Sequence, residues 1–334
     1  MNSAFKILNH DWHAFLQVIS QSHSVYVPVK TKDYIDYKLF EDISQPISYN
    51  VAKPVTPLKN FFLPVKDNVV IEKGSYKKNV IIGIPACDLK ALELLDKIYL
   101  DPSFIDNNYK ARRENAILIG TDCFETAENC HCTSYNVDPF PTAYADASLA
   151  SGGDYVIITV HSPKGERFFS ILSRSYPVHQ LKEEDLQVVN AKREKIRKEL
   201  VEKNNSLPDY VNTGRLIRDS GDEIWVKHAQ PCVSCGACTT ACPTCTCFLL
   251  IDRPDFEKVK QVDACQYPGF ERIAAGEDPL RRKFIRFRNR YLCKYVWKPE
   301  SFGVSACTGC GRCIDSCIGN INKNKIFIEM AESI

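Results

Sequence analysis

Two cysteine runs in this chain share one spacing. Cys232, Cys235, Cys238 and Cys242 follow C-x2-C-x2-C-x3-C with Pro243 next, and Cys307, Cys310, Cys313 and Cys317 repeat the pattern. Three thiolates at x2 spacing wrap a tight turn and can hold three corners of one [4Fe–4S] cube; the fourth, on the helix that follows, ligates the other cube. The expected ligand sets are therefore Cys232, Cys235, Cys238 and Cys317 for one cluster, and Cys307, Cys310, Cys313 and Cys242 for a second. Gly236 and Gly311 stand between the second and third ligands, where the backbone has to come close to an inorganic sulfur and an unusual dihedral is expected. Zinc also uses C-x2-C pairs, but it needs four ligands per ion and has no use for a three-plus-one cassette occurring twice. Ile318 occupies the place that Pro243 has in the first cassette, which leaves the ligand itself in place.

The elements that position these ligands differ from a minimal ferredoxin. Sixty-four residues separate the cassettes, and the insert carries helical patterns such as RRKFIRFRNRYLCKYVWK (281–298). An all-α, helical two-cluster ferredoxin domain over 225–334 is the expected architecture. With every ligand position filled, it reads as a wire and not as a reaction site, and no catalytic residue is assigned. The stretch 281–298 holds eight basic residues and no acid, interleaved with Phe284, Phe287, Tyr291, Tyr295 and Trp297. A nucleic-acid face would look like this. The helical recurrence of the aromatics points instead to a core stripe, with Arg and Lys balancing cluster charge or meeting an acidic partner. Cys245, Cys247, Cys265 and Cys293 stay unassigned, as small buried residues around the clusters or as ligands of another metal.

The N-terminal part, 1–180, reads as mixed α/β. VIIGIPACD (80–88) suits a buried strand delivering Cys87, LKALELLDKIYL (89–100) a helix, and AILIGTDC (116–123) and DYVIITVHS (154–162) two more strands. GERFFSILS (165–173) is expected to pair with the strand at 154–162. EEDLQVVNAKREKIRKELVEKN (183–204) is expected to be a solvated helix within a linker, 181–224. The whole chain has 334 residues, 43 basic against 41 acidic, 44% hydrophobic, which gives no general argument for nucleic acid and excludes a disordered tail. No secretory leader pattern and no apolar run of about 18 residues is seen, so membrane insertion is not expected and a cytoplasmic setting is. Sixteen Cys in a reducing compartment then point to metal ligands over disulfides.

With CVSCGACTTACPTCTCF (232–248) in view, the chain resembles the iron–sulfur electron-transfer subunits of sulfhydrogenases (the beta subunit) and of anaerobic sulfite reductase. The resemblance covers roughly 50–330. It is carried by PACDLKALELLDKIYL (85–100), YKARREN (109–115), DCFETAENCHC (122–132), DACQYPGF (263–270) and CTGCGRC (307–313) as well as the first cassette. It implies a third [4Fe–4S] cluster in the N-terminal domain, at Cys87, Cys123, Cys130 and Cys132. From the residues alone, Cys87 and Cys123 both end predicted strands, where ligands from neighbouring strands converge, and Cys130-His131-Cys132 lies on a loop. Zinc at the same four, or inert buried thiols, are the alternatives. The chain departs from the family at His131, where an aromatic is usual; at Tyr135–Asp138, which replaces a glycine-rich turn; and at Cys293, where His is common.

The function that the resemblance implies is relay of single electrons between a flavin- and NAD(P)-binding, ferredoxin-reductase-like subunit and a catalytic subunit of the sulfite reductase or hydrogenase type, in an anaerobic host. The absence of G-x-G-x-x-G after a strand and of a G-x-x-x-x-G-K-[ST] loop agrees with a separate flavoprotein. A stand-alone iron–sulfur reductase acting on a sulfur compound is the competing reading.

Overall fold

The computed structural model describes residues 4–42, 46–70 and 78–333. Its N-terminal half is built on one mixed sheet. In chain order the elements are β1 (Ala4–Leu8), α1 (Asn9–Ser20), β2 (Ser24–Lys30), β3 (Ile35–Leu39), β4 (Lys66–Asn68), β5 (Asn79–Pro85), α2 (Ala86–Tyr99), α3 (Asn107–Glu114), β6 (Ala116–Thr121), β7 (Ala147–Ser151), β8 (Tyr155–Val160), α4 (Pro163–Ser175) and β9 (His179–Gln180). The strand order is β3-β2-β5-β6-β7-β8-β1-β9. The pairs β2–β5, β5–β6 and β6–β7 are parallel, and the remaining pairs are antiparallel.

β5 is buried along almost its whole length, as a central parallel strand covered on both faces must be. Its alternate side chains feed two cores. Val80 and Ile82 join Trp12, Phe15 and Phe169 on one face, while Ile81 joins Leu92, Leu95 and Tyr109 on the other. The segment 165–173 is not a strand. It lies within α4, where Ser162 Oγ accepts from Gly165 N at 3.0 Å and Pro163 occupies the first turn. That capping pair, with Phe168, Phe169 and Leu172 at helical spacing, outweighs the strand preference of Phe168, Phe169 and Ile171.

The second half comprises α5 (Glu183–Lys203), α6 (Tyr210–Asp219), α7 (Asp222–Ala229), α8 (Ala237–Thr240), β10 (Phe248–Asp252), β11 (Lys258–Val262), α9 (Lys283–Leu292), α10 (Lys298–Phe302), α11 (Arg312–Asp315) and α12 (Lys323–Glu332), with a π turn at Cys293–Trp297 joining α9 to α10. It is mostly helical, but not all-α: β10 and β11 form a hairpin that takes β4 of the N-terminal half as its third strand. Phe248, Val259 and Val262 lie on these strands, contrary to the all-α expectation for 225–334. α5 is charged on the outside, yet Val189, Ile196 and Leu200 are buried, so it is a packed helix and not a solvated one. Ile196, Leu200 and Trp225 share one core with Phe287 and Tyr291 of α9 and with Cys87 and Cys132 of the first half. No helix among the described residues is long and apolar enough to cross a membrane.

Candidate metal centres

Parallel pairing of β5 with β6 sets Pro85 opposite Thr121. Cys87, in the first turn of α2, and Cys123, just past β6, therefore each lie two residues beyond a matched pair, at the carboxyl ends of neighbouring strands. The loop carrying Cys130 and Cys132 closes over them. Cys87, Cys123, Cys130 and Cys132 line one cavity, together with Lys53, Leu200, Gly309 and Cys310. Lys53 Nζ lies 3.6 Å from Cys130 Sγ. His131 does not face solvent. It is fully buried, its Nδ1 lies 2.7 Å from Asn129 O, and its Nε2 lies 2.8 Å from Lys323 Nζ. An ammonium only donates, so Nε2 is the acceptor and Nδ1 carries the proton to the carbonyl. Neither ring nitrogen is left for a metal.

Cys232, Cys235, Cys238 and Cys317 line a second cavity, with Gly236, Arg290, Tyr291 and Lys323 in its wall. Gly236 and Gly311 both adopt the left-handed backbone, φ +74° and +75°. Backbone N–H groups already point at sulfur there: Ser234 N is 3.4 Å from Cys232 Sγ, and Ile321 N is 3.4 Å from Cys317 Sγ. The other quartet, Cys242, Cys307, Cys310 and Cys313, is drawn together more deeply. Cys310 senses both Cys242 and Cys313, and Cys242, Cys307 and Cys310 are buried.

The side chains around these thiols suit a net-negative group. Lys294 (4% exposed), Lys323 (2%) and Arg290 (5%) are buried, and none is paired with a carboxylate among the described residues. Lys294 Nζ donates to Cys242 Sγ at 2.9 Å and to Thr244 Oγ1 at 2.6 Å; Arg290 Nη2 donates to Cys238 O at 3.3 Å, while its Nε has no partner. A buried cation without an anion costs several kcal/mol, and only the sulfurs are placed to supply that charge. Burial alone would lower the Lys294 pKa, but Cys242, Cys245 and Cys307 hold it above its ordinary value. Burial pushes Cys132 and Cys310 up to about 12 and Cys238 to about 11. A cysteine that ligates a metal does so as a thiolate, so at such positions deprotonation would be tied to metal loading. Among the described residues no three Cys, His, Asp or Glu side chains converge at the spacing of a single ion; a cubane instead takes each of its four thiolates on a separate iron.

Part of this charge pattern was readable as the row Arg286, Arg290, Lys294 and Lys298, four residues apart through α9 and the π turn, beside the buried aromatics Phe287, Tyr291 and Tyr295. Lys53, Lys59 and Lys323 carry no such signal, because they reach the thiols from distant parts of the chain. The buried pair of Arg312 with Asp88 was missed for the same reason: Nη1 lies 2.5 Å from Oδ1 and Nη2 2.8 Å from Oδ2. Of the unassigned cysteines, Cys245 is the main electrostatic neighbour of Cys242 and Cys265 that of Cys247, while Cys293 opens the π turn.

Comparison with known proteins agrees with this geometry. Residues 231–321 match the family model described as 4Fe-4S dicluster domain. Over 334 residues the chain is 29% identical to sulfhydrogenase 2 subunit beta of Pyrococcus furiosus (strain ATCC 43587 / DSM 3638 / JCM 8422 / Vc1), with 96% of each chain covered.

Proposed function

We propose that this iron–sulfur protein, with a 4Fe–4S dicluster domain at 231–321, is the electron-transfer subunit of an oxidoreductase complex. Its ligand sets are Cys232, Cys235, Cys238 and Cys317; Cys307, Cys310, Cys313 and Cys242; and Cys87, Cys123, Cys130 and Cys132. A [4Fe–4S] cluster held by four thiolates supplies one-electron redox chemistry with no ligand position open to substrate.

The observation that carries this reading is the contact between the second cassette and the N-terminal loop. His131 N donates to Gly309 O at 2.9 Å. A side chain at Gly309 would meet His131 O at 2.3 Å, and one at Gly311 would meet Asn129 O at 2.2 Å. Cys310 sits in the wall of the N-terminal cavity while also neighbouring Cys242 and Cys313. Cys313 in turn lines the cavity of the first quartet. The three quartets thus form a row, N-terminal, then the Cys307 set, then the Cys232 set. The far end of that row reaches the surface, with Cys235 exposed beside Val233 (62% exposed) and Ile318 (69%). A row with an accessible end suits passage between two other proteins better than catalysis within one.

The partners that this reading requires are a flavin- and NAD(P)-binding, ferredoxin-reductase-like subunit and a catalytic subunit of the hydrogenase or sulfite reductase type, in the cytoplasm of an anaerobe. The test is reduction by NADH or NADPH under anaerobic conditions, followed by bleaching of the visible cluster absorbance. The chain alone stays oxidised, and the complex recovered from its host contains flavin and bleaches. Direct bleaching of the isolated chain by either nucleotide, or its unaided turnover of a sulfur compound with a reduced dye, would overturn the relay reading in favour of a stand-alone reductase.

A further inference from the structure

Lys323 opens α12, where Asn322 Oδ1 accepts from Asn324 N at 2.9 Å and fixes the first turn. Its ammonium is buried and has two acceptors, both neutral: His131 Nε2 at 2.8 Å and Asn324 Oδ1 at 2.9 Å. Three rings close around it, with centroids at 5.3 Å for Tyr135, 5.8 Å for Tyr295 and 5.4 Å for Phe327. Ring faces attract a cation without neutralising it. The charge is therefore held dry and uncancelled, which costs several kcal/mol unless an anion lies near.

Two cysteine quartets are within its reach. Lys323 stands in the wall of the cavity that Cys232, Cys235, Cys238 and Cys317 line. His131 leads to the other quartet, because its backbone N–H donates to Gly309 O at 2.9 Å, between Cys307 and Cys310. Tyr135, Tyr295 and Phe327 share one core with those two cysteines. Burial would raise the Cys307 thiol, yet Lys323 and then Lys294 hold it below its ordinary value. The two lysines differ in placement. Lys294 is fixed on one ligand by its bond to Cys242 Sγ, whereas His131 holds Lys323 by its Nζ at the meeting point of the N-terminal loop and both cassettes.

We propose that Lys323 is a shared potential-setting charge, one ammonium that raises the reduction potentials of the Cys232 and Cys307 clusters together, with His131 as the positioning residue that holds it within reach of both. A cubane on four thiolates is net negative and gains one further negative charge on reduction. A fixed cation favours the reduced form, and in a dry interior its field extends past contact distance, so one charge acts on two centres. The inference rests on the ligand sets of the relay reading.

The experiment is an EPR-monitored potentiometric titration of anaerobically purified full-length protein, with iron per chain measured on every sample. Lys323→Met is expected to lower two midpoint potentials together, and Lys323→Arg, which keeps the charge, to leave both at their parental values. His131→Phe is expected to move the same two potentials in the parent and to leave them fixed in the Lys323→Met background. Unmoved potentials in Lys323→Met at parental iron overturn the proposal alone. So does a shift confined to one cluster, or a His131→Phe shift that persists without Lys323. Iron lost from Lys323→Met and Lys323→Gln alike assigns Lys323 to holding the fold and also overturns it. A parent chain with iron for fewer than two cubanes overturns the relay reading and this inference with it.

Discussion

Lys294 places an ammonium 2.9 Å from Cys242 Sγ in a site from which water is excluded. A fixed positive charge there stabilises whichever redox state is more negative, and that is the reduced one. Lys294→Met removes the charge while keeping the bulk. A charge-assisted hydrogen bond is worth about 1.5–3 kcal/mol, and 1.4 kcal/mol in a one-electron couple is about 59 mV, so one midpoint potential should fall by roughly 60–130 mV. EPR-monitored potentiometric titration reads this directly. Equal potentials in the variant and the parent, at equal iron content, would mean that Lys294 serves packing alone.

Among the elements, α11 and α2 are tied by the most buried ion pair among the described residues, Arg312 with Asp88, at 3% and 0% side-chain exposure. Arg312 Nε also donates to Pro54 O at 2.9 Å, and Asp88 Oδ2 accepts from Leu58 N at 3.2 Å. The pair locks the second cassette against the strand end that presents Cys87. Asp88→Asn leaves a buried guanidinium without its anion, which costs about 3–5 kcal/mol. Urea unfolding under anaerobic conditions should show that loss in the apparent stability, and a change below about 0.5 kcal/mol would contradict it. Neither residue advertised this role. Local pattern did show β5, α2, β6 and the basic aromatic helix α9, because each has its own periodicity. It misplaced α4, where a Ser-Pro cap decided the matter, and it passed over the β10–β11 hairpin, whose third strand comes from residues about 190 positions earlier.

At the scale of the whole molecule, the ligand spacing was legible because a cassette is a local device: three thiolates must share one turn, and Gly236 and Gly311 must take positive φ. The N-terminal quartet was legible only by resemblance, since Cys87, Cys123 and the Cys130–Cys132 loop meet through parallel strand pairing. The buried counter-charges Lys53, Lys59 and Lys323 were not legible at all, being assembled by the fold. What the folded chain adds is that the Cys307 quartet touches two cavities, with Cys310 in the wall of one and Cys313 in the wall of the other, so that the three quartets make a row. That row is the core of the electron-transfer account, and iron together with acid-labile sulfide per chain tests it most directly. In protein purified without oxygen, the account predicts about 12 of each, at four per cubane. About 8 of each, with Cys87, Cys123, Cys130 and Cys132 all free to alkylate, would contradict it and leave the N-terminal half as a docking module.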